Sequence, residues 1–197
     1  MDKVALVTAR EKQALIAFGA NLPIGEMTPE RTILESLSAL AASGVTVERF
    51  SGLYRTPCFP VGAGPDYVNA AAAVTLRNFD GPEAFLELLH QIEAQFSRER
   101  GQRWAGRTLD MDLLAWGDSV LPDAQTQEEW RTLPPDRQIL ATPDQLILPH
   151  PRLQDRGFVL VPLAKVASEW RHPLLNKTVA QLLADLPPEA IADVVPL

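Results

Sequence analysis

Five residues, Leu109-Asp-Met-Asp-Leu113, constrain this chain more than any other stretch. Side chains alternate between the two faces of a strand, so Asp110 and Asp112 share one face while Leu109, Met111 and Leu113 share the other. A strand of this kind must have one apolar face to bury and one wet face to use. Two acceptor-only carboxylates about 7 Å apart along a rigid strand suit a hard divalent cation. Magnesium typically takes one or two carboxylates plus phosphate oxygens. The loop just upstream carries Arg98, Arg100, Arg103 and Arg107, whose forked donors match phosphate oxygens. Metal ion and arginine clamp together are the equipment of phosphoryl transfer. Taken alone, the segment fits equally well the solvated face of an edge strand behind an exposed basic loop.

Composition narrows the classes. At 197 residues the chain is expected to form one domain with a sizeable core. A net charge of −7 disfavours a general nucleic-acid or anionic-membrane binder, since both need a basic surface. The positive charge between Arg98 and Arg107 is therefore local, and suits a small polyanion. Cys58 is the single cysteine, so no intramolecular disulfide forms and a reducing cytoplasm is the expected compartment. The first residues mix Asp2, Lys3, Arg10, Glu11 and Lys12 with no apolar export segment, and no apolar run is long enough to span a bilayer. A soluble monomer is the expectation.

The order of elements follows from periodicity and punctuation. Ala14 to Phe18 is a short apolar run that ends at Gly19 and Asn21, as a buried strand before a turn would. Thr28-Pro-Glu30 predicts a helix start, with Ile33, Leu34, Leu37 and Leu40 on one face and a stop at Gly44. Val45 to Tyr54 predicts a second strand and Tyr67 to Leu76 a third, although alanine is a weak strand former. Pro82 opens a second amphipathic helix through Phe96, and Leu109 to Trp116 is the fourth strand. The order β-α-β-β-α-β is that of a ferredoxin-like α+β sandwich, with helices over one face of an antiparallel sheet. Residues 118–146 form a polar, proline-punctuated insertion after the fourth strand, of a length that is usually functional or mobile. Beyond it, Val159 to Ala167 predicts a helix interrupted early by Pro162. Val179, Leu182 and Leu183 predict a last short helix, so the core spans about 14–185 and an apolar tail follows.

Four blocks, in this order, resemble 6-hydroxymethyl-7,8-dihydropterin pyrophosphokinases. They are Ile16-Ala-Phe-Gly-Ala-Asn-Leu22; Leu53-Tyr-Arg-Thr-Pro57 with Pro65-Asp-Tyr-Val-Asn-Ala70; Arg98 through Asp112; and Leu148-Pro-His-Pro-Arg152 with Asp155-Arg-Gly-Phe158. The resemblance implies transfer of a pyrophosphoryl group from ATP to the pterin hydroxymethyl, with release of AMP, in folate biosynthesis. It implies that Asp110 and Asp112 hold two Mg²⁺ ions and that Arg98 and Arg107 assist the transition state. ATP is expected to meet Glu93, Arg100, Trp104, Leu113, His150 and Arg156. The pterin is expected to meet Thr56, Pro57, Cys58, Phe59, Tyr67, Asn69 and Phe158, with Tyr67 and Phe158 sandwiching the flat ring and Asn69 reading its polar edge. His90 stands where the family commonly has glutamine and is given no contact. The insertion begins beside the metal-binding strand, so it either covers the adenine end of the site or is a decorative surface loop, two readings that fit it equally well.

Two other classes fit the sequence less well. An RNA-binding module on a ferredoxin-like sheet would need a basic chain and exposed strand aromatics, and −7 argues against it. A non-catalytic pterin- or nucleotide-binding homologue would have lost Asp110, Asp112, Arg98 or Arg107, and all four are present.

Overall fold

The computed structural model describes residues 12–58, 62, 64–77, 79–96, 108–134, 137 and 141–197. The long strands are β1 (Lys12–Ala20), β2 (Val45–Phe50), β4 (Tyr67–Leu76) and β5 (Asp110–Trp116), with short β3 (Tyr54–Thr56) and β6 (Val195–Pro196). They form one antiparallel sheet in the order β5-β1-β4-β3-β6, with β2 also paired to β4. The expected second strand is thus two strands. Gly52 between them takes φ +79°, a left-handed turn that glycine adopts without strain. The Ser51 hydroxyl accepts the Ala71 amide at 2.9 Å across the break. Gly19 was expected in a turn but lies within β1, opposite both Asn69 and Asp110.

Two helix pairs cover the two faces. Helices α1 (Pro29–Ala42) and α2 (Pro82–Gln95) bury Ile33, Leu40, Phe85, Leu89 and Ile92 against Ile16, Phe18, Ala72 and Val74. Thr28 caps α1 as expected, accepting the Arg31 amide. Leu34, however, is 47% exposed. The buried face runs through Thr32, Ile33, Ser36 and Leu40 instead, because both hydroxyls satisfy carbonyls of their own helix and so enter the core at little cost.

The opposite face is also covered, which corrects the expectation of helices on one side only. Helices α4 (Gly157–Ala167) and α5 (Val179–Asp185) bury Leu160, Leu163, Val166, Val179 and Leu182 against Leu15, Ala17, Ala71 and Leu114. The central strand β4 is therefore buried on both faces. Its run Ala70-Ala-Ala-Ala73 costs strand propensity but leaves room for backbone to approach from either side. Pro162 lies inside α4 without ending it. An interior proline costs about 3 kcal/mol, while the four large side chains buried by α4 contribute roughly 6–12 kcal/mol. Burial wins.

The insertion contains helix α3 (Ala124–Arg131), capped by Asp123. The tail past residue 185 does not trail away. A 3-10 turn at Pro188–Ala190 leads to β6, which pairs with β3 at the far edge of the sheet. No helix among the described residues is long and apolar enough to cross a membrane.

Candidate active site

Strand β5 bears out the alternation: Leu109, Met111 and Leu113 are buried in the core, and Asp110 and Asp112 are half-buried on the other face. Those carboxylates line two cavities at once. The first, about 580 Å³, lies between β5, α2 and the insertion. The second, about 650 Å³, lies over the sheet between β3, β4 and the start of α4. Among the described residues, the one side chain common to both besides Asp110 and Asp112 is Arg156. Two aspartates and one arginine thus stand where two separately shaped ligands would meet.

The second cavity is mainly apolar with a few polar groups. Its floor is Ala17 and Gly19 of β1, whose lack of bulk leaves the sheet accessible. Tyr67 and Phe158 are both in its wall, and Phe158 is 39% exposed with the Arg156 guanidinium 5.7 Å above its ring. Buried Asn69 donates to the Thr56 hydroxyl at 2.8 Å, which fixes the amide and leaves its oxygen beside Gly19. Pro57 and the free thiol of Cys58 complete the β3 side. The remaining wall is the C-terminal segment, through Glu189, Ala190, Asp193 and Val194. Nothing in its composition had marked this tail as part of a site.

The first cavity has both charged and apolar lining. Asp110, Asp112, His150, Arg152 and Arg156 are charged and polar groups of that lining next to β5 and the start of α4. His150 is held by its own amide donating to the Leu114 carbonyl at 2.9 Å, and its Nδ1 accepts the Arg152 amide at 3.1 Å. Desolvation, then the charge of Arg156, then that of Arg152, push its pKa down to about 3 against the opposing pull of Asp110. The ring is neutral near pH 7, and with Nδ1 accepting, the proton sits on Nε2 as a donor. Glu93 lines the same cavity, and its Oε1 accepts the Met111 amide at 2.6 Å. It therefore grips the backbone between the two aspartates. Leu86, Leu113, Trp130, Leu146 and Ile147 add apolar lining. Trp130, Leu146 and also Asp144 come from the insertion, and exposed His90 of α2 lines the cavity too.

Among the expected residues, Thr56, Pro57, Cys58, Tyr67, Asn69 and Phe158 gather in one cavity. Glu93, Leu113, His150 and Arg156 gather in the other. Phe59, Arg98, Arg100, Trp104 and Arg107 lie outside the described residues.

Over residues 15–168 the chain matches the family model described as 7,8-dihydro-6-hydroxymethylpterin-pyrophosphokinase. The chain belongs to this family. A 2-amino-4-hydroxy-6-hydroxymethyldihydropteridine pyrophosphokinase of Synechocystis is 38% identical over 154 residues, covering 78% of this chain and 67% of that one. Its Bacillus subtilis counterpart is 34% identical over 158 residues, covering 79% and 78%. That of Pseudomonas aeruginosa is 31% identical over 181 residues, covering 91% and 95%. The crystal structure of wild-type Plasmodium falciparum HPPK-DHPS is similar in fold, with TM-score 0.61 at 15% identity. It covers 89% of this chain, and this chain spans 45% of that one. The region matched to the family ends at residue 168, so the C-terminal wall of the second cavity lies beyond it.

Proposed function

We propose that the reaction of this chain's family, transfer of a pyrophosphoryl group from ATP to 6-hydroxymethyl-7,8-dihydropterin in folate biosynthesis, takes place over Asp110 and Asp112. ATP occupies the first cavity and the pterin the second. The observation that carries this assignment is the sharing of Asp110, Asp112 and Arg156 by both. A reaction between two bound substrates needs their reacting atoms in contact, and positioning supplies much of the rate.

The aspartates fit magnesium. Among the described residues no cluster of three or more His, Cys, Asp or Glu could hold a metal by itself. Two carboxylates leave most of an octahedral shell to phosphate and water oxygens, the usual arrangement for Mg²⁺. Asp110 and Asp112 would hold the two ions, whose charge offsets that of the triphosphate. The chain's own groups do the rest. Arg156 places a permanent cation between the cavities, and neutral His150 offers its Nε2 proton to a phosphate oxygen. Tyr67 and Phe158 hold the flat ring by its faces, and Asn69 reads its edge. The hydroxymethyl oxygen gives up its proton to solvent and forms its bond to the β-phosphorus as the bond from that phosphorus to the α-phosphate oxygen breaks, and AMP leaves. Arg98, Arg100, Trp104 and Arg107 take their parts in this reading from the motif alone.

The order β5-β1-β4, with β2 and β3 on the far side of β4 and α1 and α2 on one face, supports a ferredoxin-like βαββαβ core to which α4 and α5 are added.

Asp112→Ala should lower AMP formation by about 100-fold or more with circular dichroism and unfolding midpoint near wild type. Chelation of magnesium should silence the wild type equally. Magnesium-dependent turnover that survives Asp112→Ala would remove the metal assignment.

A further inference from the structure

The insertion helix α3 is built into the first cavity. Leu121 and Leu148 exchange backbone hydrogen bonds of 2.8 and 3.1 Å at the root of the insertion. Asp123 caps the helix, accepting the Thr126 amide and hydroxyl, both at 2.9 Å. Gln127, fully buried, donates to the Pro149 carbonyl at 3.1 Å, one residue before His150. At the helix end Arg131 lies close enough to buried His172 to help depress its pKa. These attachments hold α3 in a fixed position, unlike a loose surface loop.

Trp130 is three residues beyond Gln127 and so occupies a neighbouring stripe of the helix. It is half-buried, and it is the one Phe, Tyr or Trp lining the first cavity among the described residues. Leu86, Leu113, Leu146 and Ile147 line the same cavity, as does Asp144. A cavity lined both by aspartates, arginines and a histidine and by an indole with aliphatic side chains fits a nucleoside triphosphate. The phosphates would meet the charged groups and the flat base the indole.

We infer that Trp130 stacks on the adenine base of ATP, which makes the insertion a specificity-determining part of the nucleotide site in this chain. The inference rests on the assignment of ATP to this cavity. Its test is equilibrium binding, by calorimetry, of a non-hydrolysable ATP analogue and of inorganic triphosphate, which has no base. Trp130→Ala should weaken the ATP analogue about 10-fold and leave triphosphate binding as in the wild type. Trp130→Phe, which restores a ring face, should recover most of the loss, and the KM for the pterin should stay put. Trp130→Leu keeps apolar cover without a ring and should behave as the alanine variant does, which guards against a folding defect in the latter. Equal weakening of both ligands, or ATP-analogue affinity at the wild-type level, would overturn the inference. A wild-type chain that binds the analogue but forms no AMP would defeat the reaction assigned above and leave this test standing.

Discussion

Met111 carries the backbone amide between the two aspartates, and β5 is an edge strand. An edge amide buried against a helix needs an acceptor that no neighbouring strand supplies. Glu93 supplies it at 2.6 Å. Removing that acceptor should cost about 1–3 kcal/mol, so Glu93→Ala should lower the denaturant midpoint, while Glu93→Gln, which keeps a side-chain oxygen, should lose much less. Equal damage from both would show that the charge of Glu93 matters more than its bond to Met111. At this scale the sequence was legible wherever chemistry and spacing coincide. Asp110 and Asp112 follow from alternation, and Tyr67, Asn69, His150 and Phe158 from the motifs. The bond from Met111 to Glu93 was not legible, because it depends on how α2 sits against β5, and Gly19 was read only as a turn.

At Gly157 the start of α4 lies tight against the C-terminal turn. A Cβ added there would collide with the Ala190 carbonyl, so the first residue of α4 must be glycine for the C-terminal turn to dock. The turn in turn walls the second cavity through Glu189, Ala190 and Asp193. Gly157→Ala should therefore cost about 1–3 kcal/mol through overpacking and raise the KM for the pterin with little change in that for ATP. Steady-state kinetics against each substrate would check it, and a matched rise in both would point to general damage. Element positions were readable from local signals at Thr28, Pro82 and the β5 alternation. They failed where long-range packing decides. Gly52 splits a strand that looked continuous, Pro162 is carried inside α4 by burial, and β6 exists only through its pairing with β3. Two prolines and an apolar tail gave no local reason to expect a return to the sheet.

Across the whole molecule, folding buries two imidazoles in neutral form. His150 titrates at about 3 and His172 at about 4, both mainly through desolvation, against an ordinary value of 6.5. His172 is fixed by the amides of Leu174 and Leu175, each donating to Nδ1 at 3.2 Å. Between pH 6.5 and about 4 the unfolded chain therefore binds protons that the folded chain refuses. Stability rises with pH through that window and is lost as pH falls through it. Melting temperature should drop on acidification from pH 7 to 4.5, and His172→Asn, which keeps an acceptor for the two amides, should flatten that slope. An unchanged slope in this variant would mean that His172 contributes nothing to acid sensitivity. The same three-layer packing sets the two cavities against each other over β5. The most direct measurement is product analysis of the purified chain with ATP, magnesium and 6-hydroxymethyl-7,8-dihydropterin, resolving AMP from ADP. AMP formed only with the pterin present, in equal amount to pterin diphosphate, is the predicted result; ADP, or AMP independent of the pterin, would contradict it.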